Sequence, residues 1–233
     1  MNRPGDSQRP PPQAQQAQKP ADKSSMGLRS LYLIQYNFVS AVLWASILAR
    51  VLLLNATEGY QDVYPALGET TKWIQTLAGL EVFHAAVGLV RAPVLTTVMQ
   101  VASRFLLVWV IADRFPATVS GSPAYSTMLI AWSVTEVIRY SYFAIILAYE
   151  KVPASITWLR YNTFFVLYPL GIASECWLIW ISQGPGVVQL GPLWRWFVYA
   201  VLAIYVPGAY ILFTHMMAQR RKVMRTLNAR RQR

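Results

Sequence analysis

The apolar residues of this chain are gathered into long runs separated by short polar or proline-containing segments. Runs of roughly 20 apolar residues are typical of helices that cross the hydrocarbon core of a bilayer. The pattern predicts an all-α polytopic membrane protein, a bundle of six transmembrane helices. The predicted spans are 32–54, 73–90, 94–112, 125–148, 158–181 and 194–217.

The two ends of the chain differ from this membrane region. Residues 1–27 are rich in Pro, Gln and Ser with almost no large apolar residue, which is typical of a disordered tail. Residues 28–217 form the predicted six-helix membrane domain, and residues 218–233 form a basic tail. Because an even number of spans returns the chain to its starting side and both tails are rich in Lys and Arg, both termini are predicted to be cytosolic.

Composition agrees with a membrane protein, since 55% of residues are hydrophobic and only 13% are charged. The net charge of +11 comes mostly from the tails, so positive-inside topology explains it and nucleic-acid binding is not predicted. The single cysteine, Cys176, excludes an intramolecular disulfide and any multi-cysteine metal site.

Ionisable residues inside the predicted spans carry the functional information. A charge at the bilayer centre costs roughly 3 kcal/mol, so such residues face a bundle interior or a wet cavity. Each alone is explained by an ion pair or hydrogen bond between helices, but the whole set predicts a polar chamber. The set is Arg50, Glu81, His84, Arg104, Glu136, Arg139 and Glu175.

Two spacings in this set suggest specific pairs. Glu136 and Arg139 share a helix face, which predicts a structural or positioning ion pair. Glu81 and His84 form a Glu-x-x-His step, which resembles half of a di-iron site. No second such step exists in the sequence, so no metal is predicted, and His84 is expected to hydrogen-bond within the bundle.

The segment from His84 to Arg91 superficially resembles the loop of tyrosine phosphatases, in which a cysteine follows the histidine. Position 85 is Ala, and without a thiolate nucleophile that chemistry is excluded.

The fifth span places a phenol and a carboxyl group seven residues apart, at Tyr168 and Glu175. Seven residues are nearly two turns, so the two side chains point the same way, roughly 10 Å apart along the axis. Pro169 and Gly171 lie between them and predict a kink with an open inner face. The spacing alone leaves two readings open, a catalytic pair or two hydrogen-bonding residues beside a proline kink.

Three blocks of sequence resemble the 3-hydroxyacyl-CoA dehydratases of fatty-acid elongation, also called protein tyrosine phosphatase-like proteins. The first is Leu-Tyr-Pro-Leu-Gly at 167–171, followed by Ser174-Glu175 and preceded by Trp-Leu-Arg-Tyr at 158–161. The second is 132–140 in the fourth span, and the third runs from Leu-Glu-Val-Phe-His at 80–84 to Gln-Val-Ala-Ser-Arg at 100–104. The resemblance covers residues 28–217.

The resemblance implies a hydro-lyase of the endoplasmic reticulum membrane that needs no cofactor and no metal. It would convert a (3R)-3-hydroxyacyl-CoA to the trans-2-enoyl-CoA, the third step of very-long-chain elongation, with Tyr168 and Glu175 as the catalytic pair. Arg104, Arg160 and Gly171 are expected to support the pair or bind coenzyme A. The elongase, ketoacyl reductase and enoyl reductase of the cycle are the expected partners, and the substrate is a long-chain 3-hydroxyacyl-CoA.

Two other functions stay open from the sequence. A catalytically silent relative could act as a scaffold for elongase partners, although both Tyr168 and Glu175 are retained. A small-solute transporter is the other alternative, but the chain shows no internal repeat with matching interrupted helices.

Overall fold

The computed structural model describes residues 27–231, with side chains described as far as residue 225. Within this range every regular element is helical, which confirms the all-α class. A 3-10 turn, Tyr60–Asp62, precedes α2, and a π-helical segment, Leu106–Ala112, continues α4. The helices are α1 (Leu28–Thr57), α2 (Val63–Leu77), α3 (Gly79–Ala86), α4 (Val94–Phe105), α5 (Pro116–Ser120), α6 (Pro123–Tyr149), α7 (Ala154–Asn162), α8 (Phe164–Ile181), α9 (Gln183–Leu190) and α10 (Leu193–Arg231).

The two predicted tails differ in how much of each the structure describes. Residues 1–26 of the predicted disordered tail lie outside the described residues. At the other end, α10 continues without interruption from the membrane region through most of the predicted basic tail, as far as Arg231.

Prolines mark where several of these helices begin. Pro116 and Pro123 are the first residues of α5 and α6, while Pro93, Pro153 and Pro192 stand immediately before α4, α7 and α10. A proline suits the first turn because its fixed φ is helical and its missing N–H has no partner there in any case. The side chain of Ser122 caps α6 by accepting a hydrogen bond from the backbone N–H of Ala124.

Five helices are long and apolar enough to cross a membrane, among the residues described: Leu28–Thr57, Val94–Ala112, Pro123–Tyr149, Phe164–Ile181 and Leu193–Arg225. They correspond to five of the six predicted spans, and the chain is a multi-pass membrane protein. The predicted span 158–181 is divided at Thr163 into α7 and α8, so its membrane-length helix begins at Phe164.

The predicted span 73–90 differs from a simple crossing. Its residues belong to two helices, α2 and α3, that are separated at Ala78, and α2 already begins at Val63. Polar residues occupy the middle of α2, at 69–72, where Lys72 pairs with Glu69 at 2.8 Å and with Asp113 at 2.7 Å. A hydropathy pattern does not detect the break at Ala78, because the break depends on local backbone geometry. It does not detect the start of α2 at Val63 either, because the charge of Lys72 is accommodated by Asp113 from another helix.

The α2–α3 pair nevertheless runs antiparallel to α1. The hydroxyl of Tyr36 donates to the carbonyl of Leu77 at 3.2 Å. One turn earlier on α1, Tyr32 lies 2.8 Å from Nε2 of His84. At the beginning of α1, Arg29 donates to the carbonyl of Leu89 at 3.1 Å. The chain from Val63 to Leu89 therefore returns to the end of the bundle where α1 starts.

The core of the bundle lies between α1, α2, α6, α8 and the π-helical segment. Its fully buried side chains include Trp44, Val51, Leu67, Ile111 and Met128. The outer face is also apolar, with exposed residues such as Phe38, Leu53, Val166, Val206 and Tyr210. A bundle that is apolar inside and outside is typical of a protein whose outer face contacts lipid.

Candidate active site

Glu175 is a buried carboxylate in the middle of α8, with 8% of the residue exposed. Its Oε1 accepts a hydrogen bond from the indole N–H of Trp132 on α6 at 2.8 Å. Its Oε2 accepts one from the hydroxyl of Tyr205 on α10 at 3.0 Å. No Lys or Arg of the described residues forms a salt bridge with it. The carboxylate thus accepts one hydrogen bond from α6 and one from α10, and no described Lys or Arg pairs directly with its charge.

Tyr168 lies on α8 nearly two turns before Glu175 and is half-buried. Its hydroxyl donates to the backbone carbonyl of Ala209 on α10 at 3.1 Å. Tyr205 and Ala209, which contact Glu175 and Tyr168, are four residues apart and lie on one face of α10. The catalytic candidates therefore face the same neighbouring helix, as their spacing in the sequence predicts.

The residues between these two side chains shape the space around them. Pro169 lies inside α8, where its ring removes one backbone donor. Gly171 is buried, and a Cβ at this position would lie 3.8 Å from Cβ of Ala131, 4.0 Å from Oε1 of Glu175 and 4.0 Å from Trp132. The bare glycine thus leaves a space about the size of a methyl group directly beside the carboxylate.

Charged residues of α3, α4 and α6 form a connected network next to this site. Glu136 is 2% exposed and pairs with Arg104 through Oε1 and with Arg139 through Oε2 at 2.6 Å. Arg139 also binds both oxygens of Glu81, at 2.7 and 2.9 Å, and the hydroxyl of Tyr140 donates to Glu81. Two carboxylates and two guanidinium groups balance one another, so the buried charge of Glu136 and the three partly buried charges around it sum to zero.

Trp132 connects this network to Glu175. The guanidinium carbon of Arg104 lies 4.9 Å from the centre of the Trp132 ring, and the N–H of that ring binds Glu175. Arg104 is thereby placed behind the carboxylate without touching it. The structure brings Arg104, Glu136 and Arg139 together beside the candidate pair.

Arg160 lies apart from that group. It belongs to α7, and its guanidinium carbon is 4.5 Å from the centre of the Tyr142 ring and 4.4 Å from that of Phe143. A guanidinium placed over aromatic faces at these distances makes cation–π contacts. Arg160 therefore fixes α7 against α6, and the structure shows no contact between it and Tyr168 or Glu175.

Glu81 and His84, which form the Glu-x-x-His step, have different partners and do not face one shared site. Glu81 binds Arg139, whereas Nε2 of His84 meets the hydroxyl of Tyr32 and its ring packs edge-on against Tyr36 at 5.0 Å. His84 therefore hydrogen-bonds within the bundle, as predicted. No group of three or more potential metal ligands occurs among the residues described.

Trp132 and Tyr205 are the site residues that sequence reasoning missed. Trp132 stands in the recognised 132–140 block, and a tryptophan in a span needs a partner for its N–H when it is buried. Tyr205 carries no comparable signal, because its partner is on another helix and only Pro207, two residues later, marks this stretch of α10 as unusual.

The chain is similar to a known protein family and to individual proteins of yeast, plants and animals. Residues 75–226 match the family model described as protein tyrosine phosphatase-like protein, PTPLA. A probable very-long-chain (3R)-3-hydroxyacyl-CoA dehydratase of Schizosaccharomyces pombe is 45% identical over 88% of this chain and 98% of its own length. No solved structure matches the chain.

Plant and animal relatives carry the same description. The very-long-chain (3R)-3-hydroxyacyl-CoA dehydratase PASTICCINO 2A of Oryza sativa is 40% identical over 84% of this chain and 94% of its own length. The dehydratase hpo-8 of Caenorhabditis elegans is 36% identical over 83% and 94%. With a matching family model over most of the membrane region and relatives aligned almost end to end, the chain belongs to the protein tyrosine phosphatase-like family of very-long-chain 3-hydroxyacyl-CoA dehydratases.

Proposed function

We propose that this protein is a hydro-lyase that removes water from a (3R)-3-hydroxyacyl-CoA and releases the trans-2-enoyl-CoA, with Tyr168 and Glu175 as the catalytic pair. Membership of the dehydratase family supports the reaction. The main support for this site is that the buried carboxylate of Glu175 and the phenol of Tyr168 both face one side of α10. A methyl-sized space lies beside the carboxylate.

The reaction needs a base at C2 and an acid at the C3 hydroxyl. Glu175 takes the C2 proton, the C–H electron pair forms the C2–C3 double bond, and the C3–O bond breaks as Tyr168 donates its proton to the leaving oxygen. Water leaves, and transfer of a proton from Glu175 back to Tyr168 restores both groups. General acid–base catalysis of this kind contributes about 10²–10⁴-fold in rate.

Hydrogen bonding favours these roles over the reverse. Both oxygens of Glu175 accept a hydrogen bond, and the indole of Trp132 is a donor only, which suits an ionised carboxylate. The hydroxyl of Tyr168 donates to the carbonyl of Ala209, so the phenol carries its proton. A base that is ionised and a phenol that keeps its proton are the starting states that dehydration requires.

Turnover of a purified enzyme tests the assignment. Tyr168→Phe and Glu175→Gln are each expected to lower kcat on a 3-hydroxyacyl-CoA by at least 10²-fold while elution from a sizing column in detergent is unchanged. Tyr210→Phe, on the exposed face of α10, and Glu58→Gln, just after α1, are the matched controls and should keep full activity. Full turnover in either catalytic variant would refute the assignment.

The topology and location belong to the same proposal. The return of the α2–α3 pair along α1 from Val63 to Leu89 supports a sixth crossing, and with six crossings both termini lie on one side. We assign that side to the cytosol and the membrane to the endoplasmic reticulum. Protease protection of terminal tags in sealed microsomes tests this, since a tag that resists protease without detergent would contradict it.

The partners proposed for this enzyme are the elongase, the ketoacyl reductase and the enoyl reductase of the elongation cycle. The ketoacyl reductase must supply the 3-hydroxyacyl thioester and the enoyl reductase must consume the product. Co-purification of the tagged protein from mild detergent, with Glu175→Gln as a folded but inactive bait, tests whether association depends on turnover.

A further inference from the structure

Arg220 is fixed at the end of the bundle where α10 leaves the membrane region. Its Nε and Nη2 both donate to Oδ1 of Asn162, the last residue of α7, at 3.0 and 2.9 Å. Its guanidinium carbon lies 5.2 Å from the centre of the Phe165 ring on α8. Contacts from two other helices thus hold a half-buried arginine in one orientation.

The charge of Arg220 is not neutralised by these contacts. An amide oxygen and a phenyl ring are both uncharged, and no carboxylate of the described residues forms a salt bridge with Arg220. Further along α10, Arg221, Lys222 and Arg225 add positive charge on exposed or partly exposed positions. A positioned guanidinium with spare donors and no counter-ion is well suited to bind a phosphate.

Aromatic residues connect this arginine to the candidate active site. Phe165 contacts Phe213 with ring centres 6.3 Å apart, and Phe213 contacts Tyr168 at 6.0 Å. Tyr168 is only three residues after Phe165, so the same face of α8 leads from Arg220 to the catalytic candidates. The two regions therefore lie on one continuous path between α8 and α10.

The separation along this path matches the arm of coenzyme A. Asn162 precedes Tyr168 by six residues and Arg220 follows Ala209 by eleven, which places the guanidinium about 9–16 Å along the helices from the Tyr168 hydroxyl. The arm from the thioester sulfur to the first phosphorus has about thirteen bonds, or about 15 Å when extended. A thioester at Glu175 and Tyr168 would thus carry its phosphates to Arg220.

We propose that Arg220 binds the phosphate groups of the coenzyme A part of the substrate, oriented by Asn162 and Phe165. The proposal rests on the proposed function, since it assigns the head-group site of the same substrate. It also assigns this role to Arg220 in place of Arg160, whose guanidinium is already committed to Tyr142 and Phe143. Phospholipid headgroups offer the same phosphate chemistry, and the experiment separates the two sources.

Two substrates with one acyl chain provide the test, a 3-hydroxyacyl-CoA and its N-acetylcysteamine thioester, which has no phosphate. Arg220→Ala is expected to raise KM for the coenzyme A substrate about tenfold or more, as for loss of a charge-assisted hydrogen bond, with kcat changed little. The truncated thioester should be turned over equally by the variant and the parent. Arg221→Ala removes the same charge from the next, exposed position and should have a much smaller effect.

A second variant changes the charge of the site while keeping its shape. Asn162→Asp keeps the acceptor for Arg220 but neutralises it, so KM for the coenzyme A substrate should rise as in Arg220→Ala, again without an effect on the truncated thioester. An equal loss on both substrates would mean that Arg220 is only structural and would overturn the proposal. An unchanged KM for the coenzyme A substrate in Arg220→Ala would overturn it as well.

The lipid source is separated by repeating the assay in nanodiscs of phosphatidylcholine with and without an anionic phospholipid. The defect of Arg220→Ala should appear in both. A defect that appears only with anionic lipid would assign Arg220 to lipid headgroups and overturn the proposal. If the parent protein turns over neither thioester, the proposed function fails, and calorimetric binding of coenzyme A to the parent and to Arg220→Ala decides the present inference separately.

Discussion

The substitution Gly171→Ala should lower activity without lowering stability, so it distinguishes an effect on catalysis from an effect on folding. The new Cβ would lie 3.8 Å from Ala131 and 4.0 Å from both Oε1 of Glu175 and Trp132, which are ordinary contact distances, so the bundle can accept the methyl group. Alanine also favours the helix by up to about 1 kcal/mol over glycine. Thermal stability in detergent should therefore be unchanged or slightly higher.

Activity should fall in the same variant. The methyl group fills the space beside the carboxylate. In the proposed mechanism the C2 hydrogen of the substrate approaches Glu175 through that space. Displacing a reacting atom by about 1 Å can cost about 10²-fold in rate, so kcat/KM should fall by about that factor. The measurement is turnover of a 3-hydroxyacyl-CoA alongside a thermal melt of the same sample.

Gly184→Ala is the matched control, because a Cβ at that position of α9 would meet nothing within 4 Å. It should leave turnover unchanged, and its thermal stability should again be unchanged or slightly higher. Wild-type turnover in Gly171→Ala would show that the substrate does not occupy the space beside Glu175, and the proposed role of that space would be refuted. A lowered melting temperature would instead refute the reasoning about packing.

Other substitutions test the surroundings of the pair. Tyr205→Phe removes one donor from Glu175 and should lower kcat about tenfold with little change in KM, measured by steady-state kinetics, and an unchanged kcat would remove Tyr205 from the site. Trp132→Phe should behave similarly on kcat, and a pure KM effect would contradict its role in orienting the carboxylate. Glu136→Gln leaves Arg104 and Arg139 short of a counter-charge and should destabilise the protein by about 3 kcal/mol in denaturant titration, so a stability equal to the parent would disprove the network. Lys72→Met removes the ion pair with Asp113, whose side chain is 41% exposed, and should cost no more than about 1 kcal/mol in the same assay, and a larger loss would show that the helix contact with Asp113 matters more than that exposure indicates.

The fold was predictable from sequence where a helix is decided by its own composition. Helices α1 and α6 and the first part of α10 coincide with apolar runs because contact with lipid requires only that enough consecutive residues be apolar. The start of α2 at Val63 was not predictable, since Lys72 is accommodated by Asp113 from a distant part of the chain. The break at Ala78 likewise has no proline to mark it.

The candidate site shows the same limit. Tyr168 and Glu175 were candidates because the family resemblance names them, and their spacing within one helix predicted that they face the same way, with Gly171 between them. Trp132 and Tyr205 could not be identified, because their contacts to Glu175 cross to α6 and α10. For the arginines, sequence offered Arg160 near a helix end, but only the structure shows that its guanidinium lies on aromatic rings while Arg220 forms no salt bridge with any described carboxylate.

The four-charge network of Glu81, Arg104, Glu136 and Arg139 can change in evolution only in steps that keep acids and arginines equal in number. Because each member is compensated by the others, losing one leaves a stranded charge in hydrocarbon, whereas replacing all four by apolar residues of similar volume avoids that penalty. Related chains should therefore keep both acids and both arginines or lack members in oppositely charged pairs. A relative with three of the four in an otherwise similar bundle should carry a new cation or anion nearby.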